Sequence, residues 1–247
     1  MVIRQGIVGK WVQHFDFLGK YRLRPYDNPE EPVVVFGVYD LKFLSEHRSG
    51  VVLNWTGNDC RIQDRRGNLP LLKKCLHTTS LPAVWSYLNA KGIGCRLMKF
   101  PVWDNGKPMK KGDKVYAYLN KHKPKYHGSD IVNTLPNVLV GDFSIPSDLW
   151  RAGYADKIYG QCYIGLFLSD FAGGAGGALE MGLRGMRVVT NVIEMPHVIH
   201  WKSASDVRMA VEKEKKNIGY TDKLLAERVR NCMVQPQGFD LEWLSIS

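Results

Sequence analysis

The sequence has little of what would tie it to a stapled, metal-bound or membrane-embedded scaffold. Its five cysteines, Cys60, Cys75, Cys95, Cys162 and Cys232, are odd in number and show no C-x-x-C spacing. Neither a disulfide framework nor a zinc site is indicated, and the thiols read as reduced, cytosolic ones. No apolar run approaches the ~20 residues that a membrane span needs. The opening "MVIRQGIVGKWVQHFDF" lacks both a long apolar core and a small-residue cleavage site. A soluble cytoplasmic protein without a transmembrane segment is expected. The isolated histidines His77, His122, His127, His197 and His200 show no H-E-x-x-H or other metal spacing, which favours hydrogen-bonded structural roles. No internal repeat or low-complexity tract is visible.

What is present is a chain of 247 residues, 45% hydrophobic, with a formal charge of +10. That length buries one large α/β domain or two small ones. The charge attracts polyanions, whether nucleic acid, an acidic membrane surface or phosphorylated small substrates, unless it only keeps the surface soluble.

Short β-branched runs alternate with helix-length segments. "PVVVFGV" (32–38), "VVLNW" (51–55), "CLHTT" (75–79) and "CRLMKF" (95–100) are apolar on both faces, as a parallel sheet covered by helices requires. Helices are expected near 40–48, 59–73 and 81–91. "PVWDNGKPMKKGDK" (101–114) reads as a connector, after which the pattern restarts with strands at 114–119, 137–142, 163–168 and 187–191. Helices are expected near 128–135, 147–157 and 175–184, then from Asp206 to Lys216 and Thr221 to Cys232, capped by Ser205 or Asp206 and by Thr221. Residues 1–30 read as a strand or hairpin added to the first sheet. These boundaries give an N-terminal α/β domain over 1–110, a second over 111–232 and a tail at 233–247.

The chemistry concentrates in "YIGLFLSDFAGGAGGALEMGL", a strand, a glycine-rich loop and a helix in the order that aims backbone N–H groups at an anion. The spacing is neither G-x-G-x-x-G with a distant acid nor the G-K-[ST] of a P-loop, which removes support from nicotinamide and ATPase chemistry. The alternative is that the glycines only permit a mobile turn or close packing of helix on sheet. Glu180, on the helix, is either a dipole-favoured carboxylate or a bidentate acceptor for two ribose hydroxyls.

Extended to "RGMRVVTN" and "MPHVIHW", this stretch resembles the C-terminal nucleotide-sugar domain of GT-B glycosyltransferases, especially the retaining, family 4-like type and its shorter phage and large-virus relatives. The resemblance implies two Rossmann-like α/β domains with a cleft between them. It implies a nucleoside-diphosphate sugar donor, a UDP-sugar first of all, and no obligatory metal. Glu180 matches the family's second acid, which holds the ribose. The first acid falls on Ala172, so donor contact passes to Asp170 or to the amides of Gly173, Gly174, Gly176 and Gly177, or activity is altered or lost. Lys121, Lys123 and Lys125 follow the second sheet's first strand, where relatives neutralise the diphosphate; a solvated lysine-rich loop is the alternative. "WTGND" is similar to the acceptor-side pattern W-x-G-x-D and nominates Trp55, Thr56, Gly57 and Asp59, with Asp59 equally suited to capping the next helix. A retaining enzyme needs no dedicated base, whereas an inverting one would draw on Asp59 or His77.

The function that follows is hexosyl or pentosyl transfer to an acceptor hydroxyl. Hydroxymethylated bases in phage DNA are the preferred acceptor, which would place the protein in the cytoplasm of the infected host. A glycan or lipid-linked acceptor is a second choice. A non-catalytic basic nucleic-acid-binding module with a degenerate donor site is the competing class. The aromatics Trp103, Trp150 and Trp201 read as packing or wall residues.

Overall fold

The computed structural model describes residues 4–5, 24–39, 41–102, 106–141, 153–171 and 173–234, with side chains described from Tyr26 onward. The chain divides into two compact units, residues 1–103 with 233–247, and residues 104–232. The division therefore falls before Asp104 rather than after 110. Met233 and Val234 are no detached tail: Val234 bridges Pro101 in parallel, and Val102 N–H donates to Val234 O at 3.1 Å. The stretch read as a connector is itself packed, since Lys111 exchanges backbone hydrogen bonds with Gly219 and Tyr220 inside the second unit.

In the first unit, strands β1 (Arg4–Gln5), β2 (Arg24–Pro25), β3 (Val33–Phe36), β4 (Val51–Trp55), β5 (Leu76–Thr79) and β6 (Cys95–Leu97) form one sheet in the order β2-β1-β3-β4-β5-β6. Every pairing is parallel. The parallel β1–β2 pairing corrects the hairpin alternative, which would need antiparallel strands. Val33, Val34, Val35 and Phe36 are all fully buried, as a central strand covered on both faces demands. Burial of each such side chain contributes roughly 1.5–3 kcal/mol. Helices α1 (Asp59–Arg65) and α2 (Pro82–Ala90) follow β4 and β5, with a 3-10 turn at Leu69–Leu72 closing the segment after α1. The helix expected near 40–48 shrinks to a 3-10 turn, Lys42–Ser45, with no buried residue to hold a longer one.

The second unit carries β7 (Lys114–Tyr118), β8 (Val138–Gly141), β9 (Cys162–Phe167), β10 (Arg187–Thr190) and β11 (Val198–Ile199) in the all-parallel order β11-β10-β9-β7-β8. Its helices are α3 (Ser129–Val132), α4 (Ala155–Tyr159), α5 (Ala175–Leu183), α6 (Ala204–Glu214) and α7 (Lys223–Asn231). Strand β9 shows the two-residue period directly. Ile164, Leu166 and Leu168 join Val207 and Val211 of α6 in one core, while a Cβ on Gly165 would meet Met181 of α5. The two-residue β11 was too short to announce itself. Helix α6 opens at Ser203, whose side chain and Asp206 form a capping box, and α7 opens at Asp222, so the expected caps Ser205, Asp206 and Thr221 each sit slightly too far along or too early. The helix expected at 147–157 lies partly outside the described residues, which show α4 from Ala155. Among the described residues no helix is long and apolar enough to cross a membrane.

His197 fixes α5 to this sheet. Its Nε2–H donates to Ala178 O at 2.9 Å, and a Cβ on Gly182 would overlap its ring. Nδ1 is buried with no hydrogen-bond partner among the described residues, and burial holds the imidazole pKa down at about 4. An unfolded histidine titrates near 6.5, so the unfolded chain binds the extra proton first as pH falls. Stability therefore declines from about pH 6.5 toward pH 4, by up to ~3 kcal/mol from this residue. Urea midpoints measured across that range should show the decline, and a shallower one in His197→Gln.

Candidate functional site

In an open parallel sheet, a ligand has room where adjacent strands send their connections to opposite sides, at the strands' C-terminal ends. The second sheet has that point between β7 and β9, because the chain moves outward from β7 to β8 and returns on the other side of β7 to β9. The two segments that leave these strands, 119–128 and 168–174, flank it.

After β9 the backbone turns through Gly173 (φ 138°) and Gly174 (φ 76°), both in the region that disfavours a side chain. A Cβ on Gly174 would overlap the Phe167 ring, and one on Gly177 would lie 3.0 Å from it. The glycines are required by close packing of α5 on β9, which is the packing half of the alternative reading; a merely mobile turn does not describe them. Gly176 and Gly177 belong to the first turn of α5 rather than to the loop. Ala178 N–H is bonded to Gly174 O at 2.8 Å, so the amides of Ala175, Gly176 and Gly177 precede the helical ladder. Gly174, the N-cap, supplies no side chain to satisfy them. Such amides with the helix dipole favour an anion.

Glu180 lies on the second turn of α5 and is buried. Tyr159, at the end of α4, donates its hydroxyl to Glu180 Oε2 at 3.0 Å. Burial and the Glu180 charge hold the Tyr159 phenol far above its ordinary pKa, so it stays a donor. Arg184 bonds Glu180 O at 2.9 Å and pairs with Asp156 Oδ1 at 2.7 Å, tying α5 to α4. The carboxylate is thus oriented by Tyr159, beyond the first turn where a dipole role would place it.

His127 closes the other side. It ends the 3-10 turn Lys125–His127 before α3, is 5% exposed, and stands edge-on to Tyr118 at 4.8 Å and Tyr126 at 5.0 Å. Its Cε1 lies 3.0 Å, and its Nδ1 3.7 Å, from the position of a Cβ on Gly173. Ser169 Oγ donates to Gly173 O at 3.2 Å within the same group. Nothing in the histidine spacing singled His127 out; its strand-to-helix position next to Gly128 was the one available signal.

The remaining nominated residues fare differently. Asp170 is exposed just after β9. Ala172 lies outside the described residues, as do Trp103 and Trp150. Lys121, Lys123 and Lys125 are exposed on the segment after β7. Of the three, Lys123 is near enough to help depress the His127 pKa, after burial.

In the first unit the acceptor-side and base assignments need correction. Asp59 is fully buried, and its carboxylate accepts backbone N–H groups from Val38 (2.8 Å), Thr56 (3.1 Å), Gly57 (2.9 Å) and Cys60 (3.1 Å). Burial raises its pKa while these four donors oppose the rise. Both oxygens are engaged in shaping the β4–α1 turn, so Asp59 is no general base. It sits inside α1, after the N-cap Asn58, so it is not that helix's N-cap either. Thr56 and Gly57 are the backbone of this turn. His77 is equally committed: Nε2–H donates to Leu72 O at 2.9 Å and Nδ1 accepts Trp55 Nε1–H at 3.1 Å. Burial lowers its pKa. Trp55, 1% exposed, spends its one polar group on His77 and faces the core rather than an acceptor.

No protein-family model matches the chain, and no curated protein matches its sequence.

Two substitutions check this geometry. Asp59→Asn sets an amide donor against backbone donors and should cost about 3 kcal/mol in denaturant unfolding. Gly174→Ala, strained in φ and overlapping Phe167, should cost ~1–3 kcal/mol by the same measurement.

Proposed function

We propose that the chain is a GT-B-like glycosyltransferase whose second unit takes a nucleoside-diphosphate sugar. The observation that carries this reading is the meeting, at the β7/β9 switch point, of an uncapped glycine turn on α5 with a buried, oriented Glu180 on the same helix. The diphosphate rests on the amides at the start of α5. Glu180 accepts the two ribose hydroxyls, an arrangement that suits an ionised bidentate acceptor. A UDP-sugar is the first choice of donor, and Asp170 is the side chain available to the sugar.

With Asp59 and His77 committed to structure, the retaining course is favoured. The sugar C1–O bond to the diphosphate breaks as the acceptor oxygen bonds C1, and the acceptor's proton passes to the departing phosphate oxygen. Charge building on that oxygen is stabilised by the helix amides. The net charge of +10 favours a polyanionic acceptor, with a hydroxymethylated base in DNA as the preferred one.

Thermal-shift measurements with nucleoside-diphosphate sugars test the donor assignment. A true donor at 100 times its dissociation constant adds ~2.7 kcal/mol, about 5–10 °C for a chain of this size. Glu180→Ala should abolish the preference for UDP over 2′-deoxy-UDP, a difference of about tenfold or more expected from losing one hydrogen bond to a charged group. DNA binding without any donor shift would sink the transferase reading and leave a basic binding module.

A further inference from the structure

One polar group at this site is left without a partner among the described residues. His127 Nδ1 is buried and has no hydrogen-bond partner among the described residues, though the side chain is 95% covered. Leaving such an atom unpaired costs ~1–3 kcal/mol, so its presence calls for an explanation. The Cε1–Nδ1 edge of the ring faces Gly173, two residues before α5, whose first-turn amides have no side-chain cap. His77, by contrast, has both ring nitrogens bonded.

We propose that His127 is the proton-coupled partner of the anion bound at the α5 turn. The inference rests on the donor-site reading above. When the diphosphate settles on the turn, Nδ1 takes a proton from solvent and donates it in a charge-assisted hydrogen bond to a phosphate oxygen. Without ligand, burial first of all disfavours the charged imidazole, and no group found against it among the described residues offers a compensating negative charge. Lys123 opposes protonation from the segment after β7, Tyr118 and Tyr126 present ring edges, and Ser169 gives its hydroxyl hydrogen to Gly173 O. Asp170 is exposed after β9, and Glu180 is turned to Tyr159 farther along α5. An incoming diphosphate reverses that balance, so binding and protonation reinforce one another.

Isothermal titration with UDP-, GDP-, ADP- and dTDP-glucose in buffers of differing ionisation enthalpy tests this. The diphosphate diesters of these probes carry no group that titrates between pH 5.5 and about 8, so any proton taken up belongs to the protein. The wild type should take up a proton near pH 6.5–7, and its affinity should rise as pH falls, up to about tenfold per pH unit. His127→Asn keeps a donor near the Nδ1 position without a titrating ring, so it should bind with neither proton uptake nor pH slope; His127→Gln substitutes if that variant fails to fold. Binding without uptake in the wild type, or equal uptake in the variant, overturns the proposal and spares the donor site. Binding of none of the four probes overturns both.

Discussion

The second unit turns on the Phe167 ring. It fills the space beneath Gly174 and Gly177, where side chains on either would overlap or crowd it, and it packs with Tyr116 and Tyr118 of β7 at ring distances of 5.7 and 6.2 Å. One residue therefore fixes how closely α5 approaches the sheet, where the helix begins and which amides precede its ladder. It also sets the helical phase that turns Glu180 toward Tyr159. Glycine here is a packing requirement: the absence of Cβ atoms lets the helix seat against Phe167, and on the reading proposed above the same absence opens the turn to an anion.

The two units repeat a strand, a turn and a helix bearing a carboxylate, and they use it differently. In the first, Asp59 is saturated by four backbone N–H groups and joins the turn after β4 to Val38 beyond β3. Such a carboxylate organises a turn, and any reaction at it would first dismantle the turn. In the second, Glu180 is oriented by a neighbouring hydroxyl two turns into a helix, while the start of that helix is left to amides alone. A similar local pattern thus gives a saturated carboxylate in one unit and, in the other, a buried one that accepts a tyrosine hydroxyl. The difference lies in how many backbone donors converge on the acid.

The alternation of strands and helices was legible because buried parallel strands must be β-branched and apolar on both faces; β4 is Val51–Trp55, the run expected from sequence. Elements held by few buried contacts were not legible: the 3-10 turn at Lys42–Ser45 buries nothing, and β11 spans two residues. The glycine turn and Glu180 were readable as a pattern, but strand order was not, and strand order is what puts 119–128 beside 168–174. Nor does sequence spacing reveal satisfaction. Trp55 and His77 are 22 residues apart, and only the parallel β4–β5 register makes them hydrogen-bond partners and withdraws both from the surface.

The buried histidines show why satisfaction, more than burial, separates structure from function. His77 bonds through both nitrogens and links β4, β5 and the 3-10 turn at Leu69–Leu72; it has no capacity left. His197 bonds through Nε2 to Ala178 O, and its ring is seated against α5, where Gly182 makes room for it. His127 ends the segment that leaves β7, and its bare Nδ1 lies near Gly173, on the turn that leads from β9 to the uncapped start of α5. A polar atom left unpaired in a packed interior costs about 1–3 kcal/mol whether or not the site has a function. Of these three histidines, His127 is the one placed where, on the donor-site reading proposed above, a ligand at the start of α5 would recover that cost.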